Sequence, residues 1–112
     1  MSYKISKELF EAVMGFCKNE IAEMYVSDEN IFWHTYEDEF IGNKDSKINV
    51  DTFFFKCKEW AYNKGYIIKT DIAGEWELYN FKNGGIFDAQ NSSSEQQACF
   101  DACQWILDED KQ

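Results

Sequence analysis

The feature that most constrains the fold is a hairpin signal in the second half of the chain. Residues 75–81 alternate, with Trp76 and Leu78 on one side, and they run directly into Lys82-Asn83-Gly84-Gly85. Alternation of this kind predicts a half-buried strand, and Asn-Gly marks a tight turn between antiparallel strands. Because the chain has no proline, its turns depend on Gly, Asn and Asp. We therefore predict an antiparallel sheet with an apolar face that a helical layer covers.

Helices are predicted before and after this sheet along the chain. Asp51 is a candidate N-cap for a helix that Gly65 ends. Strands are predicted at residues 66–72, 75–81 and 86–90, and Ser94 with Gln97 fits a capping box for a last helix. The apolar stripe of that helix contains Ala98, Cys99, Ala102, Cys103 and Ile106. The order from residue 51 onward is therefore α-β-β-β-α.

The first half of the chain is less regular. Ser6 is predicted to cap a helix whose apolar stripe ends at Cys17. Residues 31–36 favour a strand, whereas residues 21–26 fit either a strand or a helix. The Glu37-Asp38-Glu39 run is interpreted as a solvated turn. We expect a single α+β domain over residues 1–112, in which one antiparallel sheet of three to five strands packs against about three helices.

Charge narrows the class of partner. The chain has 21 acidic residues, 11 lysines and no arginine, and residues 19–43 contain seven carboxylates and no lysine. Such a field repels nucleic acid and anionic membranes and attracts basic surfaces. Without arginine the chain also lacks the usual bidentate reader of phosphate and guanine. We expect a protein partner with a basic surface, and no direct contact with nucleic acid or membrane.

The sequence contains no motif that predicts catalysis or metal binding. It has no phosphate-binding loop, nucleophile elbow or His-Glu-x-x-His, and its one histidine, His34, lacks an evident catalytic partner. The four cysteines lack the close pairs of zinc sites and fall on apolar stripes, which favours core packing. We expect no enzymatic activity, no cofactor and no metal. Without an apolar leader or membrane-length run, a cytoplasmic location with reduced thiols is predicted.

Two segments resemble a known group of proteins. Residues 53–66 and 95–107 are similar to small phage and prophage proteins of no known activity, whose last helix reads roughly Glu-x-x-Ala-x-x-x-Ala-Cys-x-Trp-Ile-Leu. The residues that match this ending are Ala98, Ala102, Cys103, Trp105, Ile106 and Leu107. The opening residues 5–14 look similar too. The resemblance implies a layered α/β fold of phage type, and it brings no catalytic residues.

These observations predict a non-enzymatic accessory protein that binds a host or phage protein in the host cytosol. As a nucleic-acid mimic, it would inhibit a nucleic-acid-binding or defence protein. The predicted contacts are the carboxylates of Asp28, Glu29, Glu37, Asp38 and Glu39, with Trp33 as the apolar anchor. The alternative is a structural or regulatory subunit that forms homo- or hetero-oligomers, with contacts near Trp60 and Trp105. A ligand- or metal-dependent enzyme built around His34 is a third interpretation.

Overall fold

The computed structural model describes residues 3–87 and 92–110. The chain divides into two compact units, Met1–Phe53 and Phe54–Gln112. The elements are α1 (Lys7–Met14), β1 (Ile21–Val26), β2 (Asn30–Thr35), α2 (Tyr36–Ile41), β3 (Ser46–Asn49), α3 (Val50–Asn63), β4 (Tyr66–Thr70), β5 (Trp76–Asn80), β6 (Gly85–Phe87) and α4 (Glu95–Glu109).

The α+β class is confirmed, but the prediction of one sheet and about three helices is wrong. The described residues form four helices and two three-stranded antiparallel sheets, β1-β2-β3 and β4-β5-β6. The difference arises because residues 21–26 form a strand and β2 pairs on both sides, with β1 and with β3. The N-terminal strands therefore complete a sheet of their own. The single domain over residues 1–112 stays a prediction.

In the first unit, α1 covers the inner face of its sheet. The ring of Trp33 on β2 lies 5.0 Å from that of Phe10 and 6.3 Å from that of Phe16, and Phe10 is 5.2 Å from Phe53. Since successive side chains of a strand point to opposite faces, the neighbouring His34 lies on the outer face. Its cross-strand partner there is Glu23 on β1.

The ends of α1 follow from local chemistry. The hydroxyl of Ser6 accepts a hydrogen bond from the Leu9 N–H at 3.0 Å, as predicted for an N-cap. Gly15 then adopts a φ of 82°, in the left-handed region where glycine carries no Cβ penalty, and ends the helix. The prediction that Cys17 continues the apolar stripe is wrong, because that residue lies beyond the helix and is exposed.

A buried carboxylate fixes the loop after α1. The side chain of Glu11 is only 5% exposed. Its Oε1 accepts from the Asn19 N–H at 3.2 Å, and its Oε2 accepts from the Ile21 N–H at 2.9 Å. Both carboxylate oxygens are therefore used to satisfy backbone donors at the start of β1, as a buried charge requires.

In the second unit, the predicted α-β-β-β-α order is confirmed by α3, β4, β5, β6 and α4. Trp76 and Leu78 on β5 are buried, and so is Ile68, which pairs with Leu78 from β4. The predicted hairpin turn lies at residues 81–84, and the strand beyond it is described over Gly85–Phe87. Residues 88–90 of the predicted strand lie outside the described part of the chain.

Of two residues predicted to be helix N-caps, one is confirmed and the other is wrong. Ser94 is the N-cap of α4, and its Oγ accepts from the Gln97 N–H at 3.1 Å. The assignment of Asp51 as an N-cap is wrong, because α3 begins at Val50. The Oδ1 of Asn49 instead accepts from the Asp51 N–H at 2.8 Å.

Three cysteines belong to the core of the second unit, as predicted. Cys57, Cys99 and Cys103 are buried, and the thiol of Cys103 donates to the Cys57 carbonyl at 3.5 Å. Burial raises the pKa of the Cys57 thiol. A hydrogen bond with Cys103, together with burial, raises the pKa of Cys99. These groups therefore stay protonated and behave as small hydrophobic side chains.

Candidate functional site

The prediction that Glu37-Asp38-Glu39 forms a solvated turn is wrong, because these residues form the first turn of the helix α2. The Oγ1 of Thr35 accepts from the Asp38 N–H at 3.0 Å, and Asp38 Oδ2 accepts from the Thr35 N–H at 3.1 Å. This reciprocal capping box starts the helix, and Gly42, with a φ of 75°, ends it. Hydrogen bonds from the Thr35 backbone and the Asn43 side chain lower the pKa of Asp38.

The helix α2 is unusual because it has no buried residue. Three large apolar side chains are exposed on it: Phe40 by 90%, Tyr36 by 60% and Ile41 by 58%. The exposed carboxylates of Glu37 and Glu39 lie on the same short helix. A helix of six residues has little intrinsic stability, and α2 gains none from buried side chains. The apolar and acidic surface that it presents therefore costs folding free energy.

The predicted acidic contacts fall into two groups. Asp28 and Glu29 lie in the turn between β1 and β2, whereas Glu37, Asp38 and Glu39 lie on α2 at the other end of β2. At about 3.3 Å per residue, the five steps of β2 separate the two groups by about 17 Å. Both groups belong to the first unit, but the structure does not bring them into one cluster.

The predicted apolar anchor, Trp33, lies half-buried against Phe10 and Phe16. The most exposed apolar side chains near the acids are instead those of α2, which the sequence reasoning missed. A signal was present in the Thr-x-x-Asp pattern of residues 35–38, followed by Gly42. That pattern marks the two ends of a short helix. The apolar residues between those ends therefore follow helical spacing and do not alternate as they would along a strand.

His34 lies between Glu39 on α2 and Asp45, an acid outside both groups. Its Nδ1 is 2.9 Å from Asp45 Oδ1, in the loop before β3, and its Nε2 is 3.3 Å from Glu39 Oε2 on α2. The histidine side chain is 16% exposed. The hydrogen bond with Asp45, helped by the one with Glu39 and by the charge of Glu23, raises the pKa of His34 above its ordinary value of 6.5.

An open groove of about 540 Å³ runs beside His34 on the outer face of this sheet. Tyr25 and Phe32 line it as a cross-strand ring pair, with centroids 6.3 Å apart. Its charged lining consists of Lys7, Glu23, Asp45 and His34. Within residues 3–87 and 92–110, no group of three His, Cys, Asp or Glu side chains is placed to hold a metal ion.

The fold and this surface define a class of protein: an acidic α+β chain that exposes an apolar, acid-flanked helix. No family model, curated protein or solved structure matches the chain. Among the described helices, none has the length and apolar character needed to cross a bilayer. The resemblance to small phage proteins stays a prediction.

Proposed function

We propose that this chain is a non-enzymatic binding protein whose α2 docks on a basic surface of another protein. The observation that carries the proposal is the exposure of Tyr36, Phe40 and Ile41 beside Glu37 and Glu39, on a helix that buries nothing. Exposed apolar side chains rimmed by charge are typical of protein-interaction sites. Because the chain has a formal charge of −10, a partner with a basic surface would be electrostatically complementary to it.

The apolar and charged parts of this surface would have different roles. In protein interfaces a few desolvated aromatic or aliphatic side chains contribute most of the binding free energy. The surrounding charges mainly increase the rate of association and select the partner. We assign the first role to Phe40 and Ile41 and the second to Glu37 and Glu39. Trp33 is thereby replaced as the proposed anchor.

The second acidic group extends the proposed contact. Asp28 and Glu29 are exposed about 17 Å away along β2, so a basic groove could contact both ends of the strand. A surface that holds nucleic acid is a common example of an extended basic groove. We therefore propose that the chain mimics nucleic acid and inhibits a nucleic-acid-binding or defence protein of a phage host.

The proposal is tested by measuring affinity for a panel of purified basic DNA- and RNA-binding proteins, from about 50 to about 500 mM NaCl. We expect at least one to bind, with a dissociation constant that rises with salt, and we expect duplex DNA or RNA to compete. Reversing the charge of Glu37 and Glu39 together to Lys should weaken binding by roughly tenfold or more.

The matched control reverses two exposed acids of the second unit, Glu59→Lys and Glu75→Lys, and so changes the net charge by the same amount. It should leave the affinity nearly unchanged, because Glu59 and Glu75 lie outside the proposed surface. An affinity that ignores salt, or an equal loss in the control and the test variant, would contradict the assignment to α2. No binding across the whole panel would contradict the mimicry.

A second function, self-association, is favoured by a different observation. On one face of the second sheet, Ile67, Tyr79 and Ile86 form a continuous cross-strand row, and Ile67 and Ile86 are exposed. Trp60 and Trp105 are half-buried, so this row replaces them as the proposed contact. Sedimentation at low concentration distinguishes the two functions. A salt-insensitive dimer that Ile86→Ser dissociates would support self-association, and a monomer at all concentrations would exclude it.

A further inference from the structure

We infer that His34 is a pH-sensitive latch that holds α2 against the sheet of the first unit. The inference concerns regulation of the proposed binding surface, and its consequence for binding depends on the proposed function. The latch itself is a property of the free protein. It can therefore be tested without a partner.

The geometry favours a charged imidazole. Both ring nitrogens face carboxylate oxygens, at 2.9 Å for Asp45 and 3.3 Å for Glu39. A neutral histidine has one N–H donor and one bare nitrogen, whereas an ionised carboxylate only accepts hydrogen bonds. A neutral ring could therefore satisfy one of these contacts but not both. Only the imidazolium donates to Asp45 and Glu39 at the same time.

The charges around the ring favour that protonated form. Negative groups come from three neighbouring segments, and positive groups come from the first residue of α1 and from β3. The negative groups are Glu23, Asp38, Glu39 and Asp45, and the positive groups are Lys7 and Lys47. The two carboxylates at hydrogen-bond distance outweigh the lysines, because they are the groups in direct contact with the ring.

The latch matters because α2 has no core of its own. No residue of the helix is buried, and its cap bonds lie between neighbouring residues. At its first residue, the Tyr36 N–H donates to the Glu20 carbonyl at 3.2 Å, so the remaining ties to the sheet are made by side chains further along α2. The contact from Glu39 to His34 joins α2 to β2 through side chains, and the contact to Asp45 joins the following loop to the same ring. When the ring loses its charge it can no longer donate to both carboxylates. Either the contact to Glu39 on α2 or the contact to Asp45 in the following loop is therefore lost.

The direction of the pH effect follows from the sign of the shift. The pKa of His34 is raised in the folded chain above 6.5, so the protonated, latched form is favoured below that value. Its contribution is fully present below the unfolded pKa and is lost as the pH rises through the folded pKa. We expect α2 to be ordered below the folded pKa of His34 and to loosen as the pH rises through it.

The test is an NMR titration from about pH 5.5 to about pH 8.5. His34 is the only histidine, so its ring nitrogens give a single set of signals. We expect both nitrogens to be protonated at the acidic end and the midpoint to lie above 6.5. The amide signals of α2 should move, and their protection from hydrogen exchange should fall, with the same midpoint.

Two variants make the test decisive. In His34→Gln the amides of α2 should lose this titration, and in Glu39→Gln the His34 midpoint should shift down. Glu37→Gln is the matched control, since this neighbouring acid makes no contact with the ring. The His34 midpoint should shift less in Glu37→Gln than in Glu39→Gln. A midpoint at or below 6.5 in the wild type, or α2 amides that ignore the titration, would overturn the latch. Neither result depends on whether a basic partner binds.

Discussion

Replacing Glu11 by Gln should destabilise the first unit through one lost hydrogen bond. The carboxylate accepts from two backbone donors, the N–H groups of Asn19 and Ile21. A Gln side chain has a single oxygen, so it keeps one acceptor and turns an NH2 group toward the other donor. A hydrogen bond to a charged group contributes about 1.5–3 kcal/mol, and an unpaired buried donor costs about 1–3 kcal/mol.

We therefore expect Glu11→Gln to lower the free energy of unfolding by about 2 kcal/mol. The measurement is urea unfolding followed by tryptophan fluorescence. The dependence of the unfolding free energy on urea concentration should be equal in the variants, so that a change in stability is seen as a shift of the unfolding midpoint. Glu37→Gln is the control, because that carboxylate is exposed, and it should change stability by less than about 0.5 kcal/mol. If the two variants were equally stable, the role assigned to the buried carboxylate would be refuted.

Three further predictions concern the turns, the thiols and the cap. Gly74→Ala should destabilise the chain more than Gly15→Ala in thermal unfolding. Both have positive φ, but a Cβ at Gly74 would lie 2.2 Å from the Ser92 carbonyl oxygen and one at Gly15 would meet nothing within 4 Å. A thiol reagent should modify Cys17 rapidly and the three buried thiols only after denaturation. Thr35→Ala should remove about 1 kcal/mol of capping energy, seen as faster amide exchange in α2.

The sequence was most informative where one local pattern determined one element. The alternation around Trp76 and Leu78, the hairpin turn, predicted at residues 82–85 and found at 81–84, and the cap at Ser94 depend on neighbouring residues, and the structure confirms each of these elements. The sheet of the first unit was less predictable. The residue types predicted its strand at residues 31–36, which corresponds to β2, but they did not reveal that β2 pairs with both β1 and β3, as Ile31 does with Ile48.

The candidate surface was likewise only partly predictable from the sequence. The acidity of residues 19–43 was visible in the sequence, but the side chains that accompany it at the surface were not. Trp33 was the apparent anchor, yet it packs toward Phe10, while Phe40 is exposed because α2 contributes nothing to the core. The contact of His34 with Asp45 joins residues 11 apart in the chain. It depends on the fold of the loop before β3.

The most direct test of the central claim compares two exposed apolar side chains by their effect on binding. Phe40→Ser and Ile86→Ser each remove one such group, from α2 and from the second sheet respectively. With the basic protein that binds in the salt series, we predict that Phe40→Ser weakens affinity by roughly tenfold or more, at unchanged melting temperature. Ile86→Ser should retain the wild-type affinity. Full affinity in the Phe40 variant would contradict the claim that α2 is the binding surface.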